Sequence, residues 1–202
     1  SQKIKSLLII PASLIENWRK EAEKFAPDLK LQILHGKGAT LDSEAADLFL
    51  TTYGMVGHIE GLMEASFDFL ILDEAQAIKN PGTKQTKNVK LIAAKNRIAM
   101  TGTPIENRLT DLWSVFDFLN KGLLGSQKEF SQQTKKQVDY GKIRHMTAPF
   151  ILRRLKTDKN IITDLPAKNE NKEYIALSKR QIALYKGVQK DIEKSLTESD
   201  GI

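Results

Sequence analysis

Short apolar runs along the chain alternate with longer stretches in which apolar residues return every three or four positions. Five runs, at residues 7–10, 31–34, 48–53, 67–72 and 97–100, read as strands. Those at 7–10 and 69–72 are unbroken rather than alternating, as in strands buried on both faces of a parallel sheet. Helices are therefore expected on both faces. Ser13 and Glu16 have the spacing of a capping box opening a helix to about Phe25, whose apolar side is Leu14, Trp18, Ala22 and Phe25. Further helices are expected over 56–65 and 83–94, and through Leu109, Leu112, Trp113, Phe116 and Leu119. This strand–helix rhythm predicts an α/β layer sandwich.

After Asn120 the pattern changes. Residues 127–140 and 142–150 look helical, basic and only moderately apolar, a plausible helical appendage to the sheet. Leu165-Pro166-Ala167-Lys168 breaks this region, residues 173–177 could form one more strand, and Ser178 with Gln181 caps a last helix through Ile182, Tyr185, Val188, Ile192 and Leu196. There is no internal repeat or low-complexity tract.

Composition narrows the classes. With 202 residues and 41% hydrophobic side chains the chain can bury a real core, which argues against intrinsic disorder. The absence of cysteine excludes disulfides, a thiolate zinc site and a cysteine nucleophile, and His35, His58 and His145 are scattered without metal-ligand spacing. No apolar run approaches the roughly 20 residues of a membrane span, so no membrane partner is expected. The start at Ser1, running at once into the apolar stretch at Leu7, suggests a piece of a longer chain. The net charge of +6 is uneven: residues 1–119 hold 14 basic and 15 acidic side chains, residues 120–202 hold 17 and 10. A basic half attracts nucleic acid, and it also suits a solvated lysine-rich helical surface.

Candidate chemistry concentrates in two places. The apolar run at 67–72 ends in Asp73-Glu74-Ala75-Gln76, so a buried strand delivers two adjacent carboxylates to the carboxyl edge of the sheet, where ligands of open α/β sheets collect. Asp73 would there orient magnesium on terminal phosphates and Glu74 would deprotonate an attacking water. The same pair would equally serve as a helix cap. Met100-Thr101-Gly102-Thr103-Pro104 follows the next strand and brings small hydroxyl residues to the same edge, with Gly102 permitting close backbone approach, although such a stretch also suits a strand-ending turn.

The stretch from Asp73 through Gln76 to Pro81, followed by Met100-Thr101-Gly102-Thr103-Pro104 and on through Asn107 to Trp113, resembles motifs II and III of the Swi/Snf family of helicase-like ATPases in superfamily two. Residues 10–18 resemble its motif Ia, residues 50–53 its motif Ib, and residues 149–156 with 164–168 the brace leaving the first lobe. The resemblance implies a RecA-like, P-loop NTPase-type parallel sheet flanked by helices with a helical C-terminal protrusion, in a motor that hydrolyses ATP with magnesium and moves along double-stranded DNA against a second RecA-like lobe. It implies that Asp73 serves magnesium, Glu74 is the catalytic base, Gln76 links motif II to motif III, and Thr101, Gly102 and Thr103 couple nucleotide state to DNA grip. Phosphate-backbone contacts carry over to Ser13, Thr51 and Thr52, and also to Lys79, Asn80, Asn107, Arg153 and Arg154. For Lys79 and Arg153, a surface or helix-capping role stands beside that one. Such contacts suit a sliding motor, because phosphates carry little sequence information.

The departures are as informative. No G-x-x-x-x-G-K-[ST] phosphate loop occurs; the nearest stretch, at 35–40, lacks both the first glycine and the hydroxyl residue and reads as a loop after a strand. Motifs IV to VI of the second lobe are also missing from the 202 residues. The expectation is therefore a lobe fragment, with 1–120 as the RecA-like part, 121–165 as protrusion and brace and 166–202 as the linker, inactive in ATP hydrolysis alone and cytoplasmic (nucleoid-associated) or nuclear. A non-catalytic nucleic-acid-binding module on the same fold is the alternative, and the Asp73–Gln76 set speaks against it. Trp18 and Trp113 are expected in the core, with Trp18 able to brace the DNA-binding loop.

Overall fold

The computed structural model describes residues 4–103, 108–136, 139–154 and 171–199. Asn107 and Pro104, and the break at Leu165-Pro166-Ala167-Lys168, lie outside these. Two compact units are distinguished, Ser1–Ile151 and Leu152–Ile202.

The first unit is built on five parallel strands, β1 (Ser6–Ile10), β2 (Leu31–Leu34), β3 (Leu48–Thr52), β4 (Ser66–Leu72) and β5 (Ala93–Ala99), in the order β2-β3-β1-β4-β5. The central position of β1 explains its unbroken apolar run. Leu7 and Ile9 join one core layer, and Leu8 and Ile10 the layer on the opposite face. Helix α1 (Ile15–Phe25) covers the second layer through Ile15 and Trp18, whereas α2 (Lys84–Leu91) and α3 (Leu109–Leu119) cover the first through Val89, Phe118 and Leu119. Helices α4 (Gln127–Lys136) and α5 (Tyr140–Thr147), expected as an appendage, belong to this same unit, and Phe130 of α4 is buried.

Several local expectations are corrected. Residues 56–65 form successive turns instead of a helix. Gly54, Gly57 and Gly61 penalise helix there, and Gly61 has φ +78, outside the helical region. The apolar spacing was nonetheless meaningful, since Val56, Ile59 and Leu62 are all buried in the first core layer. At Gly57 a Cβ would stand 2.3 Å from the side-chain Nδ2 of Asn88 on α2, so any larger residue there would require that side chain to turn away. Helix α2 ends at Leu91 rather than 94, because Ile92 is extended and Ala93 already pairs with Ser66 of β4. The box at Ser13 and Glu16 does not form. A 3₁₀ turn at Ala12–Leu14 precedes α1, with the Leu14 amide donating to Pro11 O at 3.0 Å, while Glu16 accepts from Arg19 Nε at 2.9 Å.

In the second unit, α6 (Lys179–Ser199) opens with the expected reciprocal cap: the Gln181 amide donates to Ser178 Oγ at 3.3 Å and the Ser178 amide to Gln181 Oε1 at 2.9 Å. The strand expected over 173–177 is absent. No strand of that unit exists among the described residues to pair with it, and Tyr174 and Ile175 are exposed.

Candidate functional site

Strand β4 ends at Leu72, and the chain leaves the sheet through Asp73 and Glu74 into a short 3₁₀ helix, Ala75–Ile78. The exit is pinned on three sides. The Asp73 amide donates to Ile9 O of β1 at 2.9 Å, the Ala75 amide donates to Met100 O beyond β5 at 2.9 Å, and Ser114 Oγ of α3 donates to Ile78 O at 2.6 Å. Glu74 adopts φ 50, ψ 53, and is the one non-glycine residue with positive φ among those described. A left-handed conformation costs a glutamate about 1–3 kcal/mol and persists where surrounding bonds enforce it.

Two sets of side-chain hydrogen bonds meet at the backbone of Glu74. Asp73 Oδ1 accepts the Glu74 amide and Oδ2 accepts Trp18 Nε1, each at 2.9 Å. Glu74 Oε2 accepts Gln76 Nε2 at 2.7 Å, and Gln76 Oε1 accepts Thr101 Oγ1 at 2.7 Å. Thr101 in turn receives the Thr103 amide at 3.1 Å. Asp73, Glu74, Gln76 and Thr101 are half-buried, while Gly102 and Thr103 are exposed. Among the described residues, a Cβ on Gly102 would meet nothing within 4 Å.

The two carboxylates thus accept from amide, indole and carboxamide N–H groups, all neutral, among the described residues. Burial first, and then the charges of Asp73 and Glu74, push the Tyr53 phenol above its ordinary range, which keeps it a donor. Its hydroxyl donates to Asp73 O at 2.7 Å.

Asp73 supplies the hard oxygen that magnesium takes, and each of its oxygens retains a lone pair beyond the one N–H it accepts. Among the described residues no three His, Asp or Glu side chains cluster as a metal cage. A single carboxylate shared with water and phosphate oxygens is the coordination magnesium favours, so the donor set fits that ion.

The residues expected to touch DNA are distributed differently. Ser13 is exposed on the turn between β1 and α1. Lys79 is half-buried directly after the 3₁₀ helix. Asn80 is exposed, and its Oδ1 accepts the Gly82 amide at 3.0 Å in a turn that leads to Thr83, the N-cap of α2. Thr51 and Thr52 are buried, and the Thr51 hydroxyl donates to Leu34 O at 2.8 Å. Thr51 is thus a sheet residue whose donor is already used, rather than one open to a phosphate. Arg153 and Arg154 are exposed in the second unit, and Asn107 lies outside the described residues.

Trp113 is buried as expected, its Nε1 donating to Gly125 O at 3.0 Å. Trp18 and Tyr53, by contrast, belong to the site. Their signal in the sequence is only that each carries a polar tip on an apolar body, Tyr53 just past β3 and Trp18 on the apolar face of α1, and such tips must find a partner when buried.

The family described as the SNF2-related domain matches residues 1–201. The Bacillus subtilis protein YwqA, named an ATP-dependent helicase/translocase, is 39% identical over all of this chain, which spans 23% of that protein. The uncharacterised ATP-dependent helicase MG018 of Mycoplasma genitalium is 38% identical, with 96% of this chain and 20% of that protein covered. Among solved structures, the Sulfolobus solfataricus SWI2/SNF2 ATPase core in complex with dsDNA superimposes with a TM-score of 0.74 at 42% identity, over 99% of this chain and 43% of that one. The chain therefore spans about a fifth of the length of these curated relatives. The match over residues 1–201, with these relatives, shows that the chain belongs to the SNF2-related domain family.

Proposed function

We propose that this chain is the first RecA-like lobe of an ATP-dependent motor that translocates on double-stranded DNA and remodels protein–DNA complexes. Residues 1–120 form the RecA-like part, 121–165 its protrusion and brace, and 166–202 the linker towards a second lobe. A cytoplasmic (nucleoid-associated) or nuclear location follows from DNA as the track; among the described residues no helix is long and apolar enough to cross a membrane.

The observation that carries the reading is the pair Asp73 and Glu74 at the carboxyl edge of the sheet, held by neutral donors and joined through Gln76 to Thr101. Their negative charge is left for an incoming cation. Asp73 would hold magnesium, directly or through water, and that ion when bound neutralises charge on the terminal phosphates of ATP. Glu74 orients a water for in-line attack on the γ-phosphorus. As the new oxygen–phosphorus bond forms and the bridge to the β-phosphate breaks, the water's proton passes to Glu74. Gln76 holds Glu74 Oε2 and, through Oε1, senses the position of Thr101, so movement of the Thr101–Thr103 turn reaches the base through two hydrogen bonds. Ser13, Thr52, Lys79, Asn80, Asn107, Arg153 and Arg154 are the groups proposed to meet the DNA backbone.

The test is magnesium-dependent ATP hydrolysis by the full-length protein carrying this chain, with and without duplex DNA. DNA should stimulate turnover, and Glu74→Gln should lower kcat by at least about 100-fold while DNA binding persists. This chain alone, which holds no phosphate loop, should not turn over. Full activity in Glu74→Gln would refute the assignment.

A further inference from the structure

Asp73 is held by two residues that neither the strand nor the 3₁₀ helix supplies. Trp18 reaches it from the first half of α1, on one face of the sheet, and its indole nitrogen bonds Oδ2 at 2.9 Å. Tyr53 reaches it from the end of β3, and its hydroxyl bonds the Asp73 carbonyl at 2.7 Å. One donor fixes the carboxylate and the other fixes the peptide from which it hangs. With the Glu74 amide on Oδ1, the rotation of the Asp73 side chain is restrained at both oxygens. Packing alone does not account for either polar tip: Trp18 is only partly buried against Leu8, Ile10 and Leu50, and Tyr53, buried in the main core layer, would fill its place as a phenylalanine without the hydroxyl.

From this geometry we infer that Trp18 and Tyr53 are positioning residues that set the orientation in which Asp73 presents its carboxylate to magnesium. This rests on the reading of Asp73 as the magnesium carboxylate. The polar partners of a metal-binding carboxylate are worth about 10–100-fold in metal affinity, because they fix its orientation and basicity before the ion arrives. The two anchors come from opposite faces of the sheet. Trp18 follows the turn that carries Ser13, and Tyr53 follows Thr52, so the first turn of α1 and the end of β3 both reach Asp73.

Two measurements test the inference separately from the function. In this chain, labelled with ¹⁵N at tryptophan, the two indole N–H resonances are assigned by Trp18→Phe. Asp73→Ala should move the Trp18 resonance and leave that of Trp113, bonded to Gly125, in place. A Trp18 resonance indifferent to Asp73 would overturn the geometry whatever the protein's activity. In the full-length protein, the magnesium concentration that half-saturates binding of a non-hydrolysable ATP analogue, and that for ATP hydrolysis, should both rise roughly 10-fold in Trp18→Phe. Tyr53→Phe should raise them less, and its duplex DNA affinity should stay within twofold. A fall in kcat with both magnesium midpoints unmoved would mark the residues as structural and sink the proposal. If the wild-type protein lacked ATPase activity, the functional reading would fail, while the indole resonance and the binding midpoint would still decide the inference.

Discussion

The two edges of the sheet treat their carboxylates in opposite ways. At the amino edge, Asp68 near the start of β4 accepts Lys95 Nζ at 2.7 Å and the Lys5 amide at 2.9 Å, Lys5 Nζ pairs with Glu44, and Lys90 of α2 pairs with Asp117 of α3 at 2.7 Å. Arg97 on β5 donates to the carbonyls of Lys90, Ile92 and Phe118, tying off the ends of α2 and α3. Acid meets base there, and little field remains for a ligand. At the carboxyl edge, Asp73 and Glu74 meet only uncharged donors among the described residues. Neutral N–H groups orient a carboxylate without cancelling its charge, so the edge stays ready for a cation. Partner type, more than the presence of acids, separates the edge that holds the fold together from the edge that can do chemistry.

Four substitutions or conditions sharpen this contrast, beginning with the strand that supplies both edges. Leu70→Ala in β4 empties a fully buried position in the main core layer and should cost about 3–4 kcal/mol, read as a lower urea midpoint with both edges loosened together. Lys90→Met should cost about 2 kcal/mol, because it strands Asp117 in a half-buried pair and removes the donor to Ser114 Oγ; ATP hydrolysis by the full-length protein should be unaffected. Thr51→Val leaves the Leu34 carbonyl without its hydroxyl donor and should cost about 1 kcal/mol in equilibrium unfolding. Duplex DNA affinity should not change, and a marked loss of it would return Thr51 to the DNA-contacting set. The smallest effect concerns acid. Hydrogen bonds from Lys95 and Lys5 hold the Asp68 carboxyl below its ordinary 3.8. A depressed folded value means stability that is present above 3.8 and lost as pH falls through the folded value, so Asp68→Asn should flatten the acid limb of a urea-midpoint profile slightly. Its partner Lys95 is exposed, which keeps the effect small.

Much of this was legible in the sequence because it is local. Short apolar runs marked the five strands, although β5 begins at Ala93, four residues before the run at 97–100, because its largely exposed first half, with Lys95 and Asn96, carries no strong apolar signal. The Asp73–Gln76 and Thr101–Thr103 stretches stood out because each falls directly after a strand. What escaped depends on contacts between distant segments. Trp18 and Asp73 are 55 positions apart, and nothing in the spacing around either predicts that an indole on α1 reaches the end of β4. Apolar periodicity at Val56, Ile59 and Leu62 reported a buried face correctly and the backbone conformation wrongly, because glycines convert what would have been a helix into turns with the same inward side. Thr51 shows the converse limit. Its position at a strand end was clear, but whether its hydroxyl faced solvent or the neighbouring strand depended on β2 lying alongside.

One backbone angle has a reach beyond its own residue. Successive side chains on a strand alternate between its faces, so two adjacent acids would ordinarily be parted by the sheet itself. By stepping into mirror-image helical space at φ 50, Glu74 leaves that alternation just as the strand ends. A single left-handed step thus ends the alternation of the strand at the second of the two acids, before the 3₁₀ helix begins.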